Sequence, residues 1–490
     1  MGAAVCLIHP RRNNEILTGL QQNSQESVMV IGAGVAGMSA ACALAEAGFR
    51  VQLVEQHGYL GGRASSYRHP GVNEVIDNCQ HVLFGCCTNL LGFYRRIGVA
   101  QRIHWTREMT MIEPGGRRSR LGPFELGPLR LPAPLHSAPS FLNAKAFTLA
   151  DKMALARAMR AMMKPGELID TRESLGAWLR RHKQTEGALN RFWRLVIASA
   201  LNAEIDAISV PYAVKVIREL FLNSTQAGSM GMSTVPLSEL YAGVPQFLAE
   251  RGGSVLLSTH VEGAVWNEDS AQWLICTRTG ELVSDFVILA LPFEATQNLL
   301  PHLPAEEGSE KLARQIERHE HWPICSVHLW FDREITELEH AVLLDREIHW
   351  MYNQSKLQGR GGHYIELVVS ATRAFAALPR EAAIQQALSE LAEFFPAVAS
   401  AKLEKAALVK EMHATFCVSP GIDLARPTAA SPWLNLYLAG DWTATGWPST
   451  MESAARSGHL AAEALGLSAD NPLRCIEPDL KPQGMMRLIR

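Results

Sequence analysis

Residues 28 to 37, Val-Met-Val-Ile-Gly-Ala-Gly-Val-Ala-Gly, leave this chain little choice of fold. Val28 to Ile31 form an apolar run of strand type, and Gly32, Gly34 and Gly37 open a small-residue helical stretch, Met38 to Gly48. This is G-x-G-x-x-G between a strand and a helix, the context in which it binds a dinucleotide. The first glycine permits a tight turn, the second lets a pyrophosphate approach the backbone, and the third lets helix and sheet pack closely. The phosphates then sit at the positive end of the helix, beside Val35 and Ala36. A second strand, Val51 to Val54, ends at Glu55. That is about twenty residues beyond the glycines, where a carboxylate accepts hydrogen bonds from ribose hydroxyls and disfavours a 2'-phosphate. Gln56 follows it and is assigned to the same site. Gly61-Gly62-Arg63 adds a second flexible turn and a guanidinium suited to phosphate. An ordinary buried βαβ unit whose glycines serve only packing does not need that addition.

The 490 residues have room for about two or three domains with substantial cores. The formal charge of -3 gives no reason to expect nucleic acid, and no metal site is assigned. Nine cysteines, an odd number scattered over the chain, do not read as a disulfide framework and point to a reducing compartment. No run approaches the roughly eighteen apolar residues of a membrane-spanning helix. Residues 1–26 read as a loose tail, in which Cys6 stands where a myristoylation signal needs a hydroxyl.

Beyond Arg63, the polar stretch Asp77-Asn78-Cys79-Gln80-His81 lies between apolar flanks, and a helical segment runs from Thr88 to Ile97. From Arg107 to Pro139, frequent Gly, Pro and Arg with short alternating runs read as turns and small strands. Residues 148–223 are mostly helical. Thr148 is a fitting N-cap, and Leu149, Met153, Leu155, Ala156, Met159 and Met163 recur at helical spacing, with Lys152, Arg157, Arg160 and Lys164 on other positions. A core-facing helix with a solvated basic side accounts for this pattern; so does a basic amphipathic surface that meets lipid headgroups. Ser254 to Leu257, Val261 to Val265, Trp273 to Thr277 and Phe286 to Ala290 read as strands returning to the nucleotide domain, with Val261 assigned to the cofactor site. Residues 323–333 and 363–371 are β-rich, and Thr372 to Phe395 is helical, at least in its second half, until Pro396 stops it.

Near the other end, Leu436 to Ala439 leads a strand into Gly440-Asp441-Trp442, and Pro448-Ser449-Thr450-Met451 opens a small-residue helix to Leu465, with Ser449 or Thr450 as cap. A second helix N-terminus is thereby offered to an electron-rich group. These motifs together resemble those of the amine oxidase and phytoene desaturase superfamily, whose cofactor is FAD. The resemblance implies an α/β fold, with a Rossmann-like FAD-binding domain of parallel sheet and helices plus an α+β substrate domain. The expected FAD-binding domain is discontinuous, 27–105 with 250–300 and 420–468. The substrate domain, 106–249 with 301–419, has a mainly helical cap, and 469–490 form a C-terminal tail. The resemblance further implies that Asp441 meets the ribitol or phosphates. The turn from Gly440 to Trp442 and the helix start from Pro448 to Met451 would then face the flavin, where partial positive charge stabilises the anionic reduced ring.

Within the superfamily the chain looks like the hydroxysqualene dehydroxylases, also called squalene-associated FAD-dependent desaturases. The resemblance lies in Asp77 to His81, Leu131-Pro132-Ala133-Pro134-Leu135-His136, Ala200-Leu201-Asn202, Pro236-Leu237-Ser238 and Ala439 to Gly446, in family order. Cys79 departs from it, standing where the family has glycine. The implied reaction is reductive removal of the allylic hydroxyl of hydroxysqualene to give squalene, a step in hopanoid or triterpene precursor synthesis, with an external electron donor for the flavin. Loss of that hydroxyl needs an acid beside the flavin within an apolar pocket. His81 is the candidate acid, Asp77 its orienting carboxylate and Gln80 a further catalytic candidate, because the family places this segment beside the isoalloxazine. In the plainer alternative, Asp77 caps a turn and His81 is a satisfied core histidine.

The pocket is expected to be long and hydrophobic, between 148–223 and 323–371, with Trp442, Trp447 and Trp193 as candidates to line it. A substrate so insoluble implies access from a membrane surface, and the expected location is cytoplasmic or peripheral on the inner face of the cytoplasmic membrane. Two rivals stand beside this reading. One is a carotenoid-type desaturase or amine oxidase, which runs the flavin oxidatively. The other is a flavin-bearing protein that binds isoprenoids without turnover.

Overall fold

The computed structural model describes residues 25–126, 129–163 and 172–488 of the chain. The expected tail, apart from its last two residues, and Lys164 lie outside them. The buried strand Ser27–Ile31 pairs in parallel with Arg50–Val54 on one side and Phe286–Leu289 on the other. Ser254–Leu256 joins beyond the former and Leu436–Leu438 beyond the latter, so five parallel strands gather segments from both ends of the chain. Such a sheet needs both faces covered, which explains the unbroken apolar runs. Helix Val35–Glu46, buried except at Glu46, packs on helix Met451–Ser468. A Cβ at Gly458 would lie 2.1 Å from the Ala36 carbonyl oxygen, so only glycine permits this approach.

A seven-stranded sheet forms a second layer, in the order Leu403–Phe416, His321–Phe331, His363–Ser370, Trp350–Asn353, His340–Leu343, Met109–Ile112 and Arg118–Leu121. Side chains alternate across it. Ile365, Leu367 and Val369 enter a hydrophobic core with Ala383, Leu391 and Phe394 of helix Arg380–Phe394. Tyr364, Glu366, Val368 and Ser370 occupy the opposite face. The helical segment contains two π-helical turns, Leu189–Arg194 and Arg218–Leu222, a form that recurs at functional sites.

Three details depart from the sequence reading. Residues 372–395 form two helices, Arg373–Ala377 and Arg380–Phe394, because Pro379 bars Leu378 from helical geometry. The three-stranded sheet of Leu83–Phe84, Met230–Ser233 and Ile103–Thr106 bonds residues from both sides of the boundary drawn at 105. The C-terminal residues are tied down, with the Cys475 and Ile476 amides donating to Glu463 (2.6 and 2.9 Å) and the Glu477 amide to Asn89 (2.9 Å). None of the eight cysteines among the described residues is joined in a disulfide.

Candidate dinucleotide site and adjoining cavity

Glu55 staples the first glycine turn. One of its oxygens accepts the Ala33 N–H (2.9 Å) and the other that of His57 (2.8 Å). Gly37 has no room for a side chain, since a Cβ would lie 1.8 Å from the Gly32 carbonyl oxygen; it packs helix on strand, as the third glycine should. Gly34 is the opposite case, for an added Cβ meets nothing within 4 Å. Open space is thus kept at a helix N-terminus that no side chain caps, which is what a phosphate requires. Gly61 bridges to Gly34, and its amide donates to the Ala33 carbonyl (2.9 Å), so the second glycine turn is laid on the first.

From that second turn Arg63 reaches the carboxyl-terminal motif, donating to Asp441 (2.5 Å) and to the Ala414 carbonyl (2.9 Å). Burial pushes the Asp441 carboxyl up, but Arg63 and the Ser449 hydroxyl outweigh it and hold the group below its ordinary value. Arg426, buried and not singled out by any motif, shapes the rest of the loop. It donates to the carbonyls of Asp441 (2.9 Å), Trp442 (3.3 Å) and Trp447 (2.7 Å) and to the Thr445 hydroxyl (3.0 Å). Thr450 caps the closing helix by accepting the Ser453 N–H (3.1 Å), while Ser449 bonds Asp441 instead.

Both motifs open on one cavity of about 1560 Å³. Gly32, Gly34, Val35, Ala36, Glu55 and Gln56 line it from the first turn; Gly61, Gly62 and Arg63 from the second; Val261 from its strand. Gly440, Asp441, Pro448, Ser449, Thr450 and Met451 line it from the carboxyl-terminal motif. Trp442, expected at the cofactor, is a correction: it is fully buried, donates to the Leu291 carbonyl (2.9 Å) and does not line the cavity. Gly37 does not line it either. Pockets for drug-sized ligands hold ~300–1,000 Å³, so this one accommodates a dinucleotide and a second large ligand. Much of the remaining wall is apolar, with Phe192, Val196 and Phe221 from the helical segment and Ile324, Trp350 and Val368 from the seven-stranded sheet. Trp447 lines the cavity, but Trp193 is core, its indole donating to Gln184 (2.9 Å). Trp350, donating to the Ser199 hydroxyl (2.6 Å), is the wall tryptophan that sequence reading missed.

The segment from Asp77 to His81 divides. Asp77 does not line the cavity; it accepts the Ser66 hydroxyl (2.5 Å) and the Leu237 N–H (3.1 Å). It is a turn cap rather than a partner for His81, and burial leaves its carboxyl at about 6. His81 lines the cavity with Nδ1 2.6 Å from the Cys79 carbonyl. A carbonyl only accepts, so Nδ1 carries the hydrogen and Nε2 of the neutral ring keeps its lone pair. Burial lowers the His81 pKa, with the Cys79 carbonyl opposing and Arg63 adding to the shift. At neutral pH the ring is therefore uncharged, with Nε2 able to accept a hydrogen. The carboxylate whose field reaches it is Glu411, another cavity residue, which accepts from Asn78 Nδ2 (3.1 Å). Gln80 lines the cavity too, its main-chain N–H donating to Glu366 (2.6 Å) and its side-chain oxygen accepting from Gln354 (2.6 Å).

Glu294 on the cavity wall has His321 at 3.2 Å and His413 at 3.7 Å, a trio close enough to suggest a metal. The two imidazoles are stacked, 4.2 Å apart and 17° from parallel, and Phe293 stacks on the other face of His321. Ligand lone pairs lie in the ring planes, and these planes run side by side instead of converging, so the trio reads as stacked rings beside a carboxyl group and not as a metal centre.

Residues 35–466 match the family of flavin containing amine oxidoreductases. The chain is similar to the 15-cis-phytoene desaturase of Synechococcus elongatus, 25% identical over 459 residues that cover 89% of this chain and 95% of that one. An oxidoreductase from Methanosarcina mazei shares the fold with a TM-score of 0.67 at 18% identity, covering 88% of this chain and 98% of its own. Cyclohexylamine oxidase from Brevibacterium oxydans shares it with a TM-score of 0.63 at 18% identity, covering 91% and 100%. The open cradle at Gly34, the acid at Glu55 and the closing turn at Asp441 fit FAD. The chain belongs to the flavin-containing amine oxidoreductase family and is an FAD-dependent oxidoreductase of the amine oxidase and carotenoid desaturase superfamily.

Proposed function

We propose that this protein is a desaturase of long apolar isoprenoids, removing a pair of hydrogens from the chain to leave a new double bond. One observation carries the reading: His81 offers a neutral, lone-pair-bearing nitrogen within a largely apolar cavity beside the flavin motifs. The 25% identity to a phytoene desaturase supports it. Bound FAD supplies the two-electron acceptor. Phe192, Val196 and Trp350 hold the hydrocarbon and exclude water, His81 Nε2 takes the proton, and Glu411 offsets the charge that then appears on the ring. FAD-loaded protein given phytoene or zeta-carotene with an electron acceptor should yield the dehydrogenated product by mass spectrometry. Absence of conversion of either carotene overturns the proposal.

A second reading, reductive dehydroxylation of hydroxysqualene to squalene, is favoured by Gln80. An amide on the wall is superfluous for a pure hydrocarbon but binds a hydroxyl. Chemically reduced protein incubated anaerobically with hydroxysqualene separates the two: squalene appearing as the flavin reoxidises supports this second reading alone.

For location we propose peripheral contact with a membrane through helices Ala138–Asn143 and Leu149–Met163. No helix among the described residues is long and apolar enough to cross one. Leu142, Leu149 and Met153 are 62%, 70% and 56% exposed, among exposed or half-exposed Lys145, Lys152, Arg157 and Arg160. Lys152 Nζ donates to the Leu142 carbonyl (2.6 Å), which gathers basic and apolar groups. The first helix packs on strand Arg118–Leu121, whose Leu121 lines the cavity. Flotation with anionic liposomes tests this, and failure to co-float counts against it.

A further inference from the structure

Glu366 lies within the seven-stranded sheet, wholly buried, on the face that carries cavity-lining Val368 and Ser370. Tyr352, another cavity residue, is opposite it on one neighbouring strand and His328 on the other. The Gln80 main-chain N–H donates to one carboxyl oxygen (2.6 Å) and Gln354 Nε2 to the other (2.6 Å). The same Gln354 nitrogen donates to the Gln80 side-chain oxygen (2.6 Å). Gln358 Nε2 donates to the Gln354 oxygen (3.1 Å), while Gln358 Oε1 is buried without a partner.

This chain of amides has two senses. With Glu366 ionised, Gln354 gives its hydrogens to Glu366 and Gln80, leaving the Gln80 nitrogen as the free end of that amide. With Glu366 protonated, its hydroxyl needs an acceptor, and turning the Gln354 amide over supplies one. The Gln354 oxygen then accepts from both Glu366 and the Gln80 nitrogen, its own nitrogen donates to the orphaned Gln358 Oε1, and the Gln80 oxygen becomes the free end. We propose that Glu366 is a positioning residue that sets the polarity of Gln80: acting through Gln354, it decides whether Gln80 offers the cavity a hydrogen-bond acceptor or a donor.

Neutral pH selects the protonated sense. Burial, and then the Asp77 carboxyl, push Glu366 up to about 8 against its two amide hydrogen bonds. The other groups facing it bring no cation. Cys79 comes from the Gln80 segment, Tyr352 from the adjacent strand and Tyr364 from its own strand. His328 is neutral, since burial lowers it to about 3. Arg360 acts on Asp77 and Tyr364. Below about pH 8, Gln80 therefore presents an acceptor, to which an isoprenoid alcohol would donate its hydroxyl hydrogen. This assignment of ligand rests on the reading that Gln80 borders the reacting part of an isoprenoid.

The test compares FAD-loaded wild type with Glu366→Gln, whose carboxamide nitrogen donates to Gln354 as the hydroxyl would and so locks the acceptor sense. The wild type should carry an infrared carboxylic-acid band at neutral pH that E366Q lacks and that fades near pH 8. Over the same interval KM for hydroxysqualene should shift in the wild type, as its hydroxyl changes from donating to Gln80 to accepting from it, and stay level in E366Q, with KM for phytoene indifferent in both. A missing band in neutral wild type, or a KM transition retained in E366Q, overturns the proposal. The band needs no substrate, so its presence without turnover of either isoprenoid counts against the functional reading and for the relay.

Discussion

Arg63 and Asp441, 378 positions apart in the chain, meet at 2.5 Å and lock the two ends of the nucleotide domain together. Removing one charge strands the other. Asp441→Asn should cost about 3 kcal/mol of stability and release FAD, seen as loss of flavin absorbance on desalting. Because the Asp441 pKa is depressed, its contribution is present above the unfolded value and is lost as pH falls through the folded one. D441N should therefore have a flatter stability profile in acid than the wild type, and identical profiles would refute this role.

Two neighbouring glycines should separate folding from binding. Gly34→Ala projects into open space from an ordinary backbone conformation, so stability should change by no more than ~0.5 kcal/mol. FAD affinity should nonetheless fall at least about tenfold, 1.4 kcal/mol in binding terms. Gly37→Ala drives a Cβ into the Gly32 carbonyl and should cost ~3 kcal/mol or more. Calorimetric melting and flavin titration of both variants check the contrast.

The proposed proton transfer needs His81 as the neutral ring. Turnover should rise with pH through a midpoint below the ordinary 6.5, because burial lowers the group, and should be level at neutral pH. His81→Ala should retain FAD, lose about 10²–10⁴-fold in kcat and lose that acid limb. Unchanged turnover in H81A would remove His81 from the chemistry.

Arg426 holds the carboxyl-terminal loop through three carbonyls and a hydroxyl. Arg426→Met should cost about 3 kcal/mol, since buried acceptors are left unpaired, and weaken FAD retention. Arg426→Lys should recover only part of this, lacking the planar fork. Urea unfolding of both variants measures the difference.

The nucleotide layer was legible because its instructions are local: Gly32, Gly34, Gly37 and Glu55 occupy one short βαβ stretch, and each acts on its neighbours. Asp77 misled because adjacency in sequence does not give direction. It pairs with Ser66 across a hairpin, while His81 lies beyond the next turn. Glu411 went unseen with its strand, Leu403–Phe416, an edge strand whose charged residues obscure any alternation. Arg426 belongs to no motif and is recognisable only once the loop has folded over it. Glu366 did leave a trace. It shares a parity with Tyr364 and Val368 in the alternating run, a charge on a face otherwise apolar in that stretch.

Because successive positions of His363–Ser370 look in opposite directions, one strand divides two duties among its odd and even residues. Ile365, Leu367 and Val369 are answerable to the scaffold behind them. Val368 and Ser370 face the space in front and whatever fills it. A lineage built on this plan can exchange one ligand for another by altering every second residue, and its architecture need not be renegotiated each time.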